Sequence, residues 1–194
     1  MIDYSVLKVE FRRIPNLITL LRILLIPFLY YFAFSQQKIL FVLFLTLAGL
    51  SDFFDGFIAR KLHQTSQFGA QFDSFADDIV NFSVLVWLWL FIPQFLQLHI
   101  VLVSIAFAFF LIFILLELLI HKKRLAMHLY SHKFTNLLLY LFIIHSLLFS
   151  PSESFFLIFV LSVILAMLEG IIIILFFKNI SSDIPSLFLL LSHK

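Results

Sequence analysis

Residues 38–60 read "KILFVLFLTLAGLSDFFDGFIAR". The run up to Ser51 is the material of a membrane helix, yet the next nine residues carry Asp52, Asp55 and Arg60. The stretch after Asp78, "IVNFSVLVWLWLFI", is again spanning material. Ionisable groups bordering hydrocarbon are costly, so they need partners or a task. The whole chain supports this reading. It has 194 residues, 63% of them hydrophobic and 12% charged, with a mean hydropathy of +1.13. Soluble domains carry about 25% charged residues, so this composition excludes one. The 28 Phe fit helix surface turned toward lipid, and the lack of Cys excludes disulfides and thiolate metal sites.

A spanning helix needs about 20 mostly apolar residues. The sequence predicts an all-α integral membrane protein with six spans, 16–35, 39–60, 70–93, 96–120, 134–150 and 154–177. Residues 1–14 are expected to form a short interfacial helix, with Val6, Val9 and Phe11 toward lipid and Lys8, Arg12 and Arg13 toward phosphates. The whole chain, 1–194, reads as one membrane domain: a bundle over 16–177, then a cytoplasmic tail over 178–194. Eleven of the thirteen Lys and Arg residues fall on one side, Lys38 falls on the other, and Arg22 lies inside the first span. By the positive-inside rule both termini and the loops after spans two and four face the cytoplasm. Trp87 and Trp89 are expected to anchor the far interface as aromatic-belt residues.

Four carboxylates stand at Asp52, Asp55, Asp73 and Asp77. At about 100° per residue, the first two share one face of span two and the last two share one face of span three. A short connection makes these spans antiparallel neighbours, so the four groups can converge at the cytoplasmic end. Converging anions would protonate unless cations neutralise them. Hard oxygen donors suit Mg²⁺, Mn²⁺ or Ca²⁺, and two divalent ions balance four carboxylates. Such two-metal sites commonly serve phosphoryl chemistry. Gly56, Ala59 and Gly69 strip bulk from the same surface, and Arg60 offers a planar cation for phosphate oxygens. The bases nearby, Arg60, Lys61 and Arg22, are too few for a purely structural role for these acids. A divalent-cation transporter would also use such carboxylates, but has no need of Arg60, Gly56 and Gly69.

The pattern Asp52-x-x-Asp55-Gly56-x-x-Ala59-Arg60, eight residues, Gly69-x-x-x-Asp73-x-x-x-Asp77 resembles the signature of the CDP-alcohol phosphatidyltransferases. "IPNLITLLRILLIP", residues 14–27, is similar to the first span of the phosphatidylglycerophosphate synthases in that family. The resemblance implies transfer of a phosphatidyl group from CDP-diacylglycerol to a small alcohol, with release of CMP. It implies that Asp52, Asp55, Asp73 and Asp77 hold two Mg²⁺ or Mn²⁺ ions and that Asp77 is the general base. It places Gly56, Ala59, Arg60, Ser66 and Gly69 at the CDP part and has Pro15, Asn16 and Thr19 close over the nucleotide. It further implies a homodimer in a bacterial-type cell or inner membrane, with the site open to the cytoplasm. No nucleic-acid polymer is expected as a partner.

The acceptor is less constrained. Ser74 and Asp78 stand where the phosphatidylglycerophosphate synthases usually have Pro and Lys, and "SHKFTN" lacks the glycine their fifth span usually opens with. Glycerol 3-phosphate is the expected acceptor, with serine, inositol phosphate or another alcohol as alternatives. Lys133 and Glu117 are the candidate acceptor contacts. The run Lys122–Arg124 reads as a topogenic, headgroup-binding loop. His128 and His132 read as a solvated loop pair, and Glu169 as a helix-pairing residue.

Overall fold

The computed structural model describes residues 10, 13–62, 64, 66–122, 129–177 and 186–192. The chain divides into two compact units, Met1–Phe91 and Ile92–Lys194. The first holds α1 (Ile14–Phe34), α2 (Lys38–Lys61) and α3 (Gln67–Phe91). The second holds α4 (Pro93–Leu98), α5 (Ile100–His121), α6 (Tyr130–Leu148), α7 (Glu153–Phe176) and α8 (Leu187–Ser192). Among the described residues every regular element is helical. Among the described residues four stretches are long and apolar enough to cross a membrane: Ile14–Phe34, Phe68–Phe91, Ile100–His121 and Glu153–Phe176.

In the first unit α1 starts on Pro15, whose missing N–H costs nothing in an opening turn, and packs against both α2 and α3. Gln36, at φ 56°, turns the chain into α2, and its side-chain amide donates to the Leu90 carbonyl (2.9 Å) at the last turn of α3. Beside this turn Trp87 packs edge-on against Tyr30 (5.6 Å between centroids) and Phe41 (5.4 Å), and Phe41 meets Phe91 (4.9 Å). This aromatic knot joins all three helices. It also corrects the belt expectation for Trp87, which is fully buried; Trp89 is exposed. Two residues apart, they point to different faces of α3.

In the second unit α7 packs on α5 and α6. Ser152 caps α7 by accepting from the Phe155 N–H, and Glu153 places a carboxylate in the positive first turn. Phe113, Leu129, Ala166, Met167, Ile173 and Ile174 form a core onto which Leu187 and Leu190 of α8 pack.

Several expected boundaries move. The fourth span opens at Ile100 rather than 96, because Pro93 starts a separate short helix that ends at the non-helical His99. The fifth opens at Tyr130 rather than 134. The polar run Ser131–Lys133 is helical, with His132 bonded through Nε2 to the Ala166 carbonyl (3.1 Å) and packed on Phe113, not in a loop. The tail carries α8, whose first N–H, on Leu187, donates to Glu169 Oε1 (2.8 Å). Of the expected interfacial helix, 1–14, only Glu10, Arg13 and Ile14 belong to the described residues, and Ile14 already opens α1.

Candidate active site

The first unit gathers most of the expected residues. Asp73 and Asp77 lie one turn apart on α3, and Arg22 of α1 reaches both. Its Nη1 stands 3.0 Å from Asp73 Oδ1 and 2.7 Å from Asp77 Oδ1. Arg22 has no exposed surface, whereas the side chains of Asp73 and Asp77 are 24% and 32% exposed. The guanidinium thus underlies the pair while the carboxylates open outward. A charged donor at these distances makes the stronger class of hydrogen bond.

A second cluster joins the start of α1 to the start of α3. Ser66 donates through Oγ to Glu10 Oε2 (2.7 Å) and accepts from the Gly69 N–H (3.0 Å). Asn16 donates through Nδ2 to the Glu10 backbone carbonyl (2.8 Å), with Glu10 Oε2 at 3.4 Å. Arg13 pairs with Glu10 Oε1 (3.0 Å) and donates to the Gln64 carbonyl (3.3 Å), while Gln64 Oε1 accepts from the Ile14 N–H (3.2 Å). Thr19 donates to the Pro15 carbonyl (3.2 Å). Gly69 lies so close to Asn16 that a Cβ there would stand 2.7 Å from Asn16 Oδ1. Pro15, Asn16, Thr19, Ser66 and Gly69 therefore cluster at one end of the first unit, with Asp73 and Asp77 one and two turns farther along α3.

Asp52, Asp55, Gly56, Ala59 and Arg60 lie on the last three turns of α2; their side chains are outside the described residues. Among the described residues no three His, Asp or Glu side chains form a metal-holding group. Asp73 and Asp77 nonetheless suit a hard divalent ion. Their donors are all oxygen, and their Oδ1 atoms already converge on one cationic point, the Arg22 nitrogen.

The acceptor candidates belong to the second unit. Glu117 on α5 is fully buried, and Lys133 is exposed on the first turn of α6. Glu169 bonds α8, in keeping with helix pairing.

Arg22 and Glu10 were not among the expected site residues. The signal for Arg22 was visible, a lone cation within an apolar span. Glu10 carried no comparable signal, since it reads as one charge in a mixed polar segment.

The chain belongs to the CDP-alcohol phosphatidyltransferase family, whose model matches residues 12–177. Among its relatives is the CDP-diacylglycerol–glycerol-3-phosphate 3-phosphatidyltransferase of Wigglesworthia glossinidia brevipalpis, 39% identical over 114 residues, 57% of this chain and 58% of that protein. Proteins of the same name from Pectobacterium atrosepticum and Salmonella choleraesuis are 43% and 41% identical over 70 residues, 34% of this chain and 38% of each relative. The matches to these three thus span 58% of the first relative and 38% of the other two. No solved structure matches the chain. Spanning-length helices in a membrane-enzyme family make this an integral membrane protein.

Proposed function

We propose that this chain transfers the phosphatidyl group of CDP-diacylglycerol to glycerol 3-phosphate and releases CMP. The observation that carries the reading is the pairing of Asp73 and Asp77 over a buried cation, next to the Asn16–Ser66–Gly69 cluster, in a chain of this family. The acceptor follows the relatives, which are named for glycerol 3-phosphate.

In this reading Asp52, Asp55, Asp73 and Asp77 hold two Mg²⁺ or Mn²⁺ ions, which when bound neutralise the diphosphate and the departing CMP. The remaining work falls to the chain. Asp77 takes the proton of the acceptor hydroxyl, since an alcohol is a poor nucleophile at neutral pH without a positioned base. The alcohol oxygen bonds to the phosphorus bearing diacylglycerol as the diphosphate P–O bond breaks, and CMP keeps the bridging oxygen. Asn16, Thr19 and Ser66 offer amide and hydroxyl groups to the CDP part, with Pro15, Gly56, Ala59, Arg60 and Gly69 shaping its berth. Lys133 and Glu117 are the proposed acceptor contacts, Lys133 for the acceptor's phosphate.

The membrane arrangement belongs to the same proposal. α2 and α6, at 24 and 19 residues, are long enough to join the four apolar stretches as spans, giving six in one domain. The bias of Lys and Arg supports a cytoplasmic site with cytoplasmic termini, in a bacterial-type cell membrane. A homodimer is proposed by family resemblance.

The test is CMP release from CDP-diacylglycerol by the purified chain with Mg²⁺ or Mn²⁺, offered glycerol 3-phosphate, serine, inositol phosphate or choline. Release is expected with glycerol 3-phosphate alone, and Asp77→Asn should lower it by about 10²-fold or more. Release with another acceptor would reassign the reaction. Mn²⁺ uptake into vesicles without CMP release would favour the transporter reading.

A further inference from the structure

We propose that Arg22 is the resident cation of the carboxylate site and that it holds down the site's affinity for divalent ions, coupling ion binding to the arrival of an anionic substrate. The inference rests on the two-ion reading above.

Arg22 lies in the third turn of α1 with no exposed surface. A buried guanidinium is tolerated only when well paired, and its pairing includes Asp73 and Asp77. The geometry is specific. One nitrogen, Nη1, serves Oδ1 of both aspartates, at 3.0 and 2.7 Å. Two carboxylates one helical turn apart, both turned toward one positive point, are the pair that would hold a divalent ion. The guanidinium and such an ion therefore seek the same two oxygens. Two cations a few ångströms apart in a protein interior repel strongly. An ion that takes these oxygens must push Arg22 aside or share them with it, and binds more weakly in either case.

The charge count gives this competition a purpose. Four signature aspartates and Arg22 carry a net charge of −3, so two divalent ions turn the set to +1. Without Arg22 the loaded set would be neutral. The excess positive charge favours a diphosphate, and the diphosphate in turn favours the ions. Ion and substrate binding thus reinforce each other, as reciprocal linkage requires. Arg22 acts here through the aspartates and is a positioning residue.

The test measures Mn²⁺ binding to the purified full chain in detergent, from the electron paramagnetic resonance signal of free Mn²⁺, with no nucleotide or CDP-lipid present. Arg22→Met, which keeps an unbranched stem and removes the charge, should bind Mn²⁺ at least about tenfold tighter than the parent. Arg22→Lys, whose shorter reach draws the cation back from both oxygens, should bind about threefold tighter. CMP should tighten Mn²⁺ binding in the parent and do so less in Arg22→Met. Binding by Arg22→Met that is unchanged or weaker overturns the proposal while leaving the two-ion reading intact. Should Arg22→Met fail to fold, unchanged or weaker binding by Arg22→Lys overturns it equally. A parent chain that binds no Mn²⁺ removes the two-ion reading and this inference with it.

Discussion

Replacing Gly69 by alanine adds one methyl group at the tightest point of the site. The new Cβ would lie 2.7 Å from Asn16 Oδ1, where ordinary contact begins near 3.4 Å, so the Asn16 amide must retreat by about 0.7 Å. Asn16 is buried, and its Nδ2 donates to the Glu10 carbonyl at 2.8 Å; a retreat of that size stretches the bond out of range. Leaving a buried donor unsatisfied costs about 1–3 kcal/mol. Against this, alanine is up to about 1 kcal/mol better than glycine within a helix, and less in a first turn. The net loss of stability is then under about 3 kcal/mol, too little to unfold the chain. The functional loss should be larger in proportion. If Asn16 serves the CDP part as proposed, displacing its amide removes a hydrogen bond worth about 1.4 kcal/mol, or tenfold in kcat/KM for CDP-diacylglycerol. The assay is CMP release against CDP-diacylglycerol concentration, with thermal unfolding in detergent alongside. Asn16→Ala should suffer a similar loss, and the double variant should be little worse than either single one, because both changes remove the same bond. A Gly69→Ala chain with KM within twofold of the parent, or a double variant whose losses simply add, would refute the reasoning.

Removing the Glu10 carboxylate should be felt at three partners, since it holds Ser66, Asn16 and Arg13. Glu10→Ala is expected to lower the unfolding temperature and raise KM for CDP-diacylglycerol. Glu10→Gln, which can still accept from Ser66, should recover most of both. Gly170→Ala would place a Cβ 2.5 Å from Phe113 Cε2 in the core of the second unit, and overpacking of this kind costs about 1–3 kcal/mol. Its unfolding temperature should fall, and shortening the opposing ring with Phe113→Leu should restore part of the loss.

The helical class and the presence of spanning helices were legible from hydropathy, and α7 lies within one residue of its expected limits. Asp73 and Asp77 share a face for a reason any helix supplies. Other features depend on contacts that local pattern does not encode. Trp87 and Trp89 look alike in sequence, but only the three-helix packing decides which is enclosed. The start of α6 was missed because Ser131, His132 and Lys133 read as loop, whereas His132 finds a carbonyl on α7. Residues 96–98 read as the beginning of a span because apolar residues shortly after a proline do not announce that the helix opened at Pro93 will stop at Leu98. Arg22 drew notice as an intramembrane cation, but its partners lie 51 and 55 residues away, beyond any helical periodicity.

That separation has a consequence for how the protein is made. The first span must leave the ribosome and meet the membrane before α3 exists. At about 5–20 residues per second, Asp73 and Asp77 follow Arg22 only after some seconds. During that interval the first span carries an arginine whose entry into the middle of a lipid-facing helix costs about 2.5–3.5 kcal/mol. Its leucines and isoleucines can outweigh this, but they cannot lodge the guanidinium comfortably in lipid. The nascent chain is best served by waiting beside the insertion machinery until α3 arrives, and then moving sideways into the bilayer as a paired unit. Biogenesis of this protein is thus expected to be cooperative between its first and third helices, even though each is apolar enough to insert alone.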